Sequence, residues 1–264
     1  GDKTLADIGA EDILAILRPI WLTKTETASR LRGRLERTLA AAATRGLRSG
    51  INPAAWRGHL DNLLPVPKRI SKVQHHAALP YSDVPAFIEH LRQRNGIAPL
   101  MLEFLILTAA RTGEVLGARR SEVENDLWMI PANRMKAQKE HRVPLTPRAI
   151  EILAIARSLD AKSEFLFSIN SRPLSNMAMF KLIKRLNLPI TVHGFRSAFR
   201  DWVAETTNYP SELAEMALAH TIANKVEAAY RRGDLLIRRR QLMLDWATFC
   251  ERAAAARVFP FRAA

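Results

Sequence analysis

Residues 98–110, Ala-Pro-Leu-Met-Leu-Glu-Phe-Leu-Ile-Leu-Thr-Ala-Ala, restrict what this chain can become more than any other stretch. A helix built from them is apolar on every side, so it has to sit in the middle of a globular core. It is too short for a membrane span, which needs roughly 18 or more apolar residues. The run passes directly into Arg111-Thr112-Gly113-Glu114. An arginine at the exit of a buried helix must be paired or must face a cleft, because an isolated buried charge is too costly.

Around this centre the periodicity predicts a mainly α chain with a small antiparallel sheet. A helix over 83–94 precedes the apolar one, and others are expected at 147–159, 175–187 and 238–254. Leu127–Pro131 and His141–Leu145 read as the strands of a hairpin, with a third edge strand beside them and Lys136 and Lys139 in the turn. Phe165–Phe167 reads as a short extended piece. Trp202, Trp246 and Cys250 read as core.

Upstream lies a smaller helical unit over 1–64. A helix over 11–18 is expected to stop at Pro19. Thr23 and Glu26 have the form of a capping box opening the next helix. That helix puts Ala28, Leu31, Leu35, Leu39 and Ala42 on one face, while Arg30, Arg32, Arg34 and Arg37 line the other, with Arg45 and Arg48 beyond. The arginine face reads either as a solvated surface or as a contact to a phosphate backbone. Asn52-Pro53 reads as the start of a short helix reaching Leu64. Residues 65–80, with Pro65 and Pro67 at the start, a basic run and the pair His75-His76, read as a linker to a larger unit over 81–264.

Composition narrows the partners. Forty Lys and Arg against 26 Asp and Glu give a net charge of +14, which fits a polyanion whose counterions are released on binding. The single cysteine, Cys250, rules out an internal disulfide framework and a cysteine-based zinc site. With no signal-peptide pattern, the reading is a cytoplasmic protein without a membrane role.

Five features fall in order along the larger unit: Arg111 with Glu114, the hairpin lysines, His193-Gly-Phe-Arg196, His220 and Tyr230. Arginines, histidines and a tyrosine together suggest phosphate chemistry with a phenolic nucleophile and no metal. Tyr81 and Tyr209 lack the flanking basic residues of Tyr230.

The segments TAARTGEVLGAR (108–119), RMKAQKEHRVPLT (134–146), HGFRSAFRDW (193–202), LAHTIANKVEAAYRRGD (218–234) and RRRQLMLDWA (238–247) carry a resemblance. The chain is similar to tyrosine recombinases of the phage-integrase family, and within it to P4-type integrases of prophages and integrating conjugative elements. The likeness covers nearly the whole chain. It implies a helical core-binding domain, partial here, followed by the catalytic domain with the DNA breaking-rejoining enzyme fold.

The resemblance also implies roles. Arg111 and Arg196 match the arginines that grip the scissile phosphate, and Glu114 matches the acidic position supporting them. Lys136 matches the hairpin lysine, a general acid for the departing 5′-hydroxyl, with Lys139 as the competing choice. His193 matches a general acid/base, His220 a hydrogen-bond donor to the phosphate, and Tyr230 the nucleophile. Arg30, Arg34, Arg37, Lys139, Arg142, Arg231 and Arg232 are DNA-contact candidates. No cofactor and no metal are implied. The partner is double-stranded DNA at an attachment-site core, with a homotetramer on DNA and a monomer when free. The C-terminal Arg-Val-Phe-Pro-Phe-Arg-Ala-Ala is apolar enough to pack on its own domain or on a neighbour.

Relatives of this type begin with an arm-site DNA-binding domain, and the chain is expected to enter partway through the core-binding region. Arg120 stands where such relatives commonly have an aromatic. Two alternatives remain from the sequence: a non-catalytic DNA-binding relic or regulator of the same site, and a nicking-closing enzyme resembling type IB topoisomerases.

Overall fold

The computed structural model of the protein describes residues 3–70, 77–220 and 233–252. The chain divides into two compact units, Gly1–His75 and His76–Ala264. Among the described residues, no helix is long and apolar enough to cross a membrane.

The first unit is built on α1 (Ala10–Trp21) and α2 (Thr25–Thr44), with a short α3 (Pro67–Ile70). Its core joins Ile13, Leu14, Leu17 and Trp21 to Ala28, Leu39 and Leu60, with Leu31 and Leu35 packed against them. Trp21 stacks on Trp56 at 5.6 Å and donates from Nε1 to the Pro65 carbonyl at 2.9 Å.

Four local expectations are corrected here. Pro19 does not end α1, which runs on to Trp21. Thr23 is not an N-cap: Lys24 holds that position without a side-chain cap. The Lys24 amide still bonds the Ile20 carbonyl, so the link is too tight for an extended residue at Thr23. Arg32 leaves the polar face, pairing with Glu36 at 2.7 Å and lying over the Trp56 ring. No helix starts at Asn52: its side chain accepts from the Ala54 amide at 3.0 Å and donates to the Glu36 carbonyl at 2.8 Å. The chain then turns, reaching only a short 3-10 turn at Leu60–Asn62.

The second unit is organised as the apolar run requires. Helix α4 (Val84–Arg92) leads to α5 (Ile97–Thr108), and Met101, Leu102, Phe104, Leu105, Ile106 and Leu107 of α5 are all buried. Then follow α6 (Thr112–Leu116) and a three-stranded antiparallel sheet in the order β1 (Val123–Glu124), β2 (Leu127–Ile130), β3 (His141–Pro144). In its register Trp128 faces Val143 and Ile130 faces His141. Helix α7 (Pro147–Leu159) and a small ribbon, β4 (Ser168–Ile169) with β5 (Arg172–Pro173), precede α8 (Ala178–Arg185). Helices α9 (Gly194–Thr206), α10 (Ser211–Ala217) and α11 (Leu236–Cys250) complete the described unit.

Two features of this core tie the sequence to its packing. Phe199, Trp202, Trp246 and Phe249 form an aromatic cluster, and Trp246 Nε1 donates to the Ile106 carbonyl at 2.9 Å, fixing α11 to α5. Glu103, the one charge inside the apolar run, is fully buried. Its carboxylate takes a two-pronged contact from Arg148 at 2.9 Å per bond and a 2.7 Å bond from Arg92. A buried carboxylate is tolerable only when paired this completely.

Candidate active site

Helix α5 ends at Ala109, which takes a left-handed conformation (φ 49°) and turns its carbonyl away from the helix axis. Arg111 follows in extended conformation as the N-cap of α6. Glu114 fixes it twice: one carboxylate oxygen accepts from the Arg111 amide at 2.7 Å, the other from the Arg111 guanidinium at 2.7 Å. Glu114 is buried, so main chain and side chain of Arg111 are set by one group that cannot move far. The second guanidinium nitrogen of Arg111 donates to the Ala219 carbonyl at 3.2 Å.

Arg196 reaches the same place from α9. It is 4% exposed. One terminal nitrogen donates to the Ala109 carbonyl, the other to the Leu218 carbonyl at 2.6 Å. Two cations thus end on the consecutive carbonyls of Leu218 and Ala219, at the exit of α10, where Ala219 is again left-handed (φ 50°). Burial and then the Arg111 charge push the Arg196 value down to about 10, which leaves it cationic at neutral pH.

His220 lies against this pair. Its Nε2 is 3.1 Å from an Arg196 nitrogen and its Nδ1 is 2.5 Å from Glu215. An arginine has only donors, so Nε2 is the acceptor and Nδ1 carries the proton given to Glu215. Glu215 also takes Arg200 at 2.7 Å. Burial pushes its carboxyl up, but the His220 bond and the Arg200 charge outweigh that and hold it below the usual range.

Arg111, Glu114, Arg196 and His220 therefore converge. His193 occupies the exposed N-cap position of α9, with its carbonyl accepting from the Arg196 amide at 3.1 Å. Lys136 and Lys139 both stand exposed in the turn between β2 and β3, which buried Met135 anchors. Tyr230, Arg231 and Arg232 lie outside the described residues, as do His75, His76 and the C-terminal eight residues. Neither described tyrosine is prone to ionise. Burial and Asp245 push Tyr209 up to about 12, and a hydrogen bond with Glu205 raises Tyr81.

The DNA-contact candidates differ in their engagement. Arg34 is exposed, Arg30 pairs with Glu26 at 2.7 Å, and Arg37 donates to the Gly33 carbonyl at 3.2 Å. Arg142 forms a two-pronged pair with Asp234 at 2.8 and 2.6 Å.

Three supporting residues were not singled out from the sequence. Glu215 orients His220. Arg134 joins Glu122 and the Glu114 carbonyl, tying the hairpin to α6. Its guanidinium lies 2.9 Å from where a Cβ on Gly117 would stand, so a side chain there would push the end of Arg134 aside. His141 is half-buried on β3. Burial and then the Arg239 charge push it down to about 4. Its sequence signal was an unexplained histidine opening a buried strand.

Comparison with known proteins gives a consistent picture. The phage integrase central domain model matches residues 1–59, and the phage integrase family model matches residues 78–234. The chain is 31% identical over 254 residues to the prophage integrase IntZ of Escherichia coli (strain K12), covering 94% of this chain and 61% of that protein. It is 29% identical to the integrase of Enterobacteria phage P4, over 67% of this chain and 45% of that one. Among solved structures, a lambda integrase (75–356) dimer bound to a COC′ core site superposes with a TM-score of 0.63 at 18% identity. That match covers 84% of this chain and 82% of the other. The Tn1549 transposon integrase (82–397) with circular intermediate DNA gives 0.60 at 14% identity, over 88% and 84%. These last two likenesses speak for the fold. The chain spans about three-fifths of the length of IntZ and of a second prophage integrase, IntA, from the same strain (61% and 62%).

Proposed function

The chain belongs to the phage integrase family, and from that membership we propose that it carries the DNA-binding and catalytic parts of a tyrosine-type site-specific DNA recombinase. The first unit contacts the core site and the second performs the chemistry, serving the integration and excision of a mobile element in the cytoplasm. The observation that carries this reading is the convergence of Arg111 and Arg196 on the carbonyls of Leu218 and Ala219, beside His220.

Two guanidiniums held side by side, with Glu114 the one carboxylate among the described residues bonded directly to either, make a site electrostatically incomplete without an anion. A DNA phosphodiester supplies it. Their planar donors suit the non-bridging oxygens and gain strength as charge builds on phosphorus. The Tyr230 oxygen attacks phosphorus, the bond to the 5′-oxygen breaks, and a 3′-phosphotyrosine forms. Lys136, with Lys139 as the alternative, gives a proton to the departing 5′-oxygen. His193 takes the phenol proton. A free phenol near pKa 10 costs about 4 kcal/mol to ionise at pH 7, which neighbouring cations and a base offset. Rejoining reverses the steps and needs no external energy source, because the ester bond is retained. The lambda integrase tetramer bound to a Holliday junction supports a tetramer on DNA for this chain as well.

The test is a library of nicked suicide duplexes with a randomised core, from which covalent adducts are recovered and sequenced. The expected result is an SDS-stable adduct at a defined core, abolished in Tyr230→Phe. An adduct that persists in Tyr230→Phe, or none from the wild type, sinks the reading and leaves a DNA-binding regulator. Adducts without core preference support the nicking-closing alternative.

A further inference from the structure

The loop between β2 and β3 is anchored step by step. A 3-10 turn, Ala132–Arg134, leads to Met135, which is 2% exposed. The Met135 carbonyl then accepts from the Gln138 amide at 3.0 Å, with Gln138 left-handed (φ 53°). This closes a four-residue turn that puts Lys136 at its first corner, one residue beyond a buried anchor. Lys139 lies past the left-handed residue, with exposed Gln138 and Glu140 on either side.

Arg134 fixes the other side of Met135. One terminal nitrogen of its guanidinium donates to both oxygens of Glu122, and the second donates to the Glu114 carbonyl at 2.5 Å. Glu122 is itself buried, and it takes the Trp128 indole at 2.9 Å and the Arg119 amide at 3.2 Å. The Glu114 carbonyl is one of those left without an amide where α6 ends, because the Ala118 amide turns to the Val115 carbonyl. Arg134 fills that gap. Glu114 is therefore held from both ends: its carboxylate seats Arg111 and its carbonyl seats Arg134.

We propose that Arg134 is a positioning residue that ties the lysine turn to the residue seating Arg111, and that the lysine it holds for the leaving oxygen is Lys136. This deepens, and rests on, the recombinase reading above. In that reaction the bond from phosphorus to the 5′-oxygen breaks, and the lysine ammonium gives its proton to that oxygen. A proton donor acts only within hydrogen-bond reach, so displacement by about 1 Å removes much of its effect. Arg111 grips the same phosphate, and the shared tether through Glu114 sets the distance between the gripping and the protonating group.

The plain alternative is that Arg134 only neutralises the buried Glu122. The leaving group distinguishes the two. In a duplex with sulfur in place of the 5′-bridging oxygen, the departing thiolate needs no proton, so that substrate bypasses the lysine while still needing the arginines. Single-turnover cleavage is measured on both forms of the core recovered from the suicide duplexes. Arg134→Lys is the main variant, since it keeps a charge for Glu122 but its one ammonium cannot span both acceptors. Gly117→Ala is the second: it leaves Arg134 in the chain and crowds its terminal nitrogen, 2.9 Å from the new Cβ. Arg134→Lys is expected to cleave the ordinary duplex about 10- to 100-fold more slowly than wild type, with Gly117→Ala slowed in the same sense. Both return to within about threefold of wild type on the sulfur duplex. Lys136→Ala shows the same pattern with a larger loss, about 10²- to 10⁴-fold, and Lys139→Ala stays near wild type on both. Glu114→Gln, which loosens Arg111 but keeps the carbonyl for Arg134, stays slow on both.

The proposal is overturned if Arg134→Lys is equally slow on the two duplexes, if it cleaves the ordinary one within twofold of wild type, or if sulfur rescues Lys139→Ala rather than Lys136→Ala. Should the wild type cleave neither duplex, it is the recombinase reading that fails. Hydrogen exchange without DNA then decides the tether. The Gln138 amide exchanges about tenfold faster in Arg134→Lys if Arg134 holds the turn, and an unchanged rate there overturns the proposal.

Discussion

Gly194 opens α9 between His193 and Arg196, and a single methyl group there tests how tightly the site is built. A Cβ at this position would stand 2.4 Å from the Ala77 carbonyl oxygen and 2.7 Å from the Ala78 Cα. An unstrained carbon–oxygen contact needs roughly 3.3 Å, so about 0.9 Å has to be found. The obstacle is main chain, and it is pinned: the Ala77 carbonyl accepts from the Thr191 amide at 2.9 Å and the Thr191 hydroxyl at 3.3 Å. Relief therefore requires either the loss of those bonds or a recoil of α9. Forced overpacking of this kind costs about 2–3 kcal/mol. At roughly 2–4 °C per kcal/mol for a unit of this size, Gly194→Ala is expected to melt about 4–12 °C below wild type. Recoil also displaces Arg196 from the Ala109 and Leu218 carbonyls, and about 1 Å of misplacement lowers the cleavage rate by around 10²-fold. Gly113→Ala is the control. It sits in α6 with nothing within 4 Å of its Cβ position, and helix propensity favours alanine by about 0.5–1 kcal/mol. Calorimetry of both variants decides. If Gly194→Ala melts no lower than Gly113→Ala, the close approach of residues 77–78 to α9 is wrong, and with it the account of what seats Arg196.

Three further outcomes follow from the same geometry. Glu114→Gln keeps the shape but loses one acceptor for Arg111, which is about a quarter exposed (23%). It should lower single-turnover cleavage roughly 10- to 100-fold, and a rate within twofold of wild type refutes the fixing role. Glu103→Leu removes the buried partner of Arg92 and Arg148, leaving them the more exposed Glu251 and Glu151, and should destabilise by about 3 kcal/mol. Adding Arg148→Met should return most of that in a denaturant titration, and a double variant as weak as the single one contradicts the triad. His141, pushed down to about 4 by burial and Arg239, binds its proton more weakly folded than unfolded, where it titrates near 6.5. Stability is therefore untouched above about pH 6.5 and falls as the pH drops towards 4, by about 2–3 kcal/mol in all. His141→Gln should flatten that part of the pH–stability curve, and an unchanged slope rules His141 out as its source.

Much of the fold was legible because it is local. The apolar α5, the two strands around a basic turn, and the spacing of apolar residues in α2 are periodic signals that neighbouring residues set by themselves. Where reading failed, a contact from afar had intervened. Asn52 has the right letter for an N-cap, but its side chain is taken by the Glu36 carbonyl. Arg32 has the right spacing for a solvent face, but the Trp56 ring draws it inward.

The candidate site divides along the same line. Which charged and titratable groups exist, and in what order, is written in the letters. What holds them comes from the fold: the carbonyls of Ala109, Leu218 and Ala219 for the two arginines, Asp234 for Arg142 and Arg239. Most of those ligands are backbone oxygens of alanine and leucine, turned into place by left-handed residues at two helix ends. Every residue carries such an oxygen, so no letter announces it, and only the fold selects the few that meet a cation.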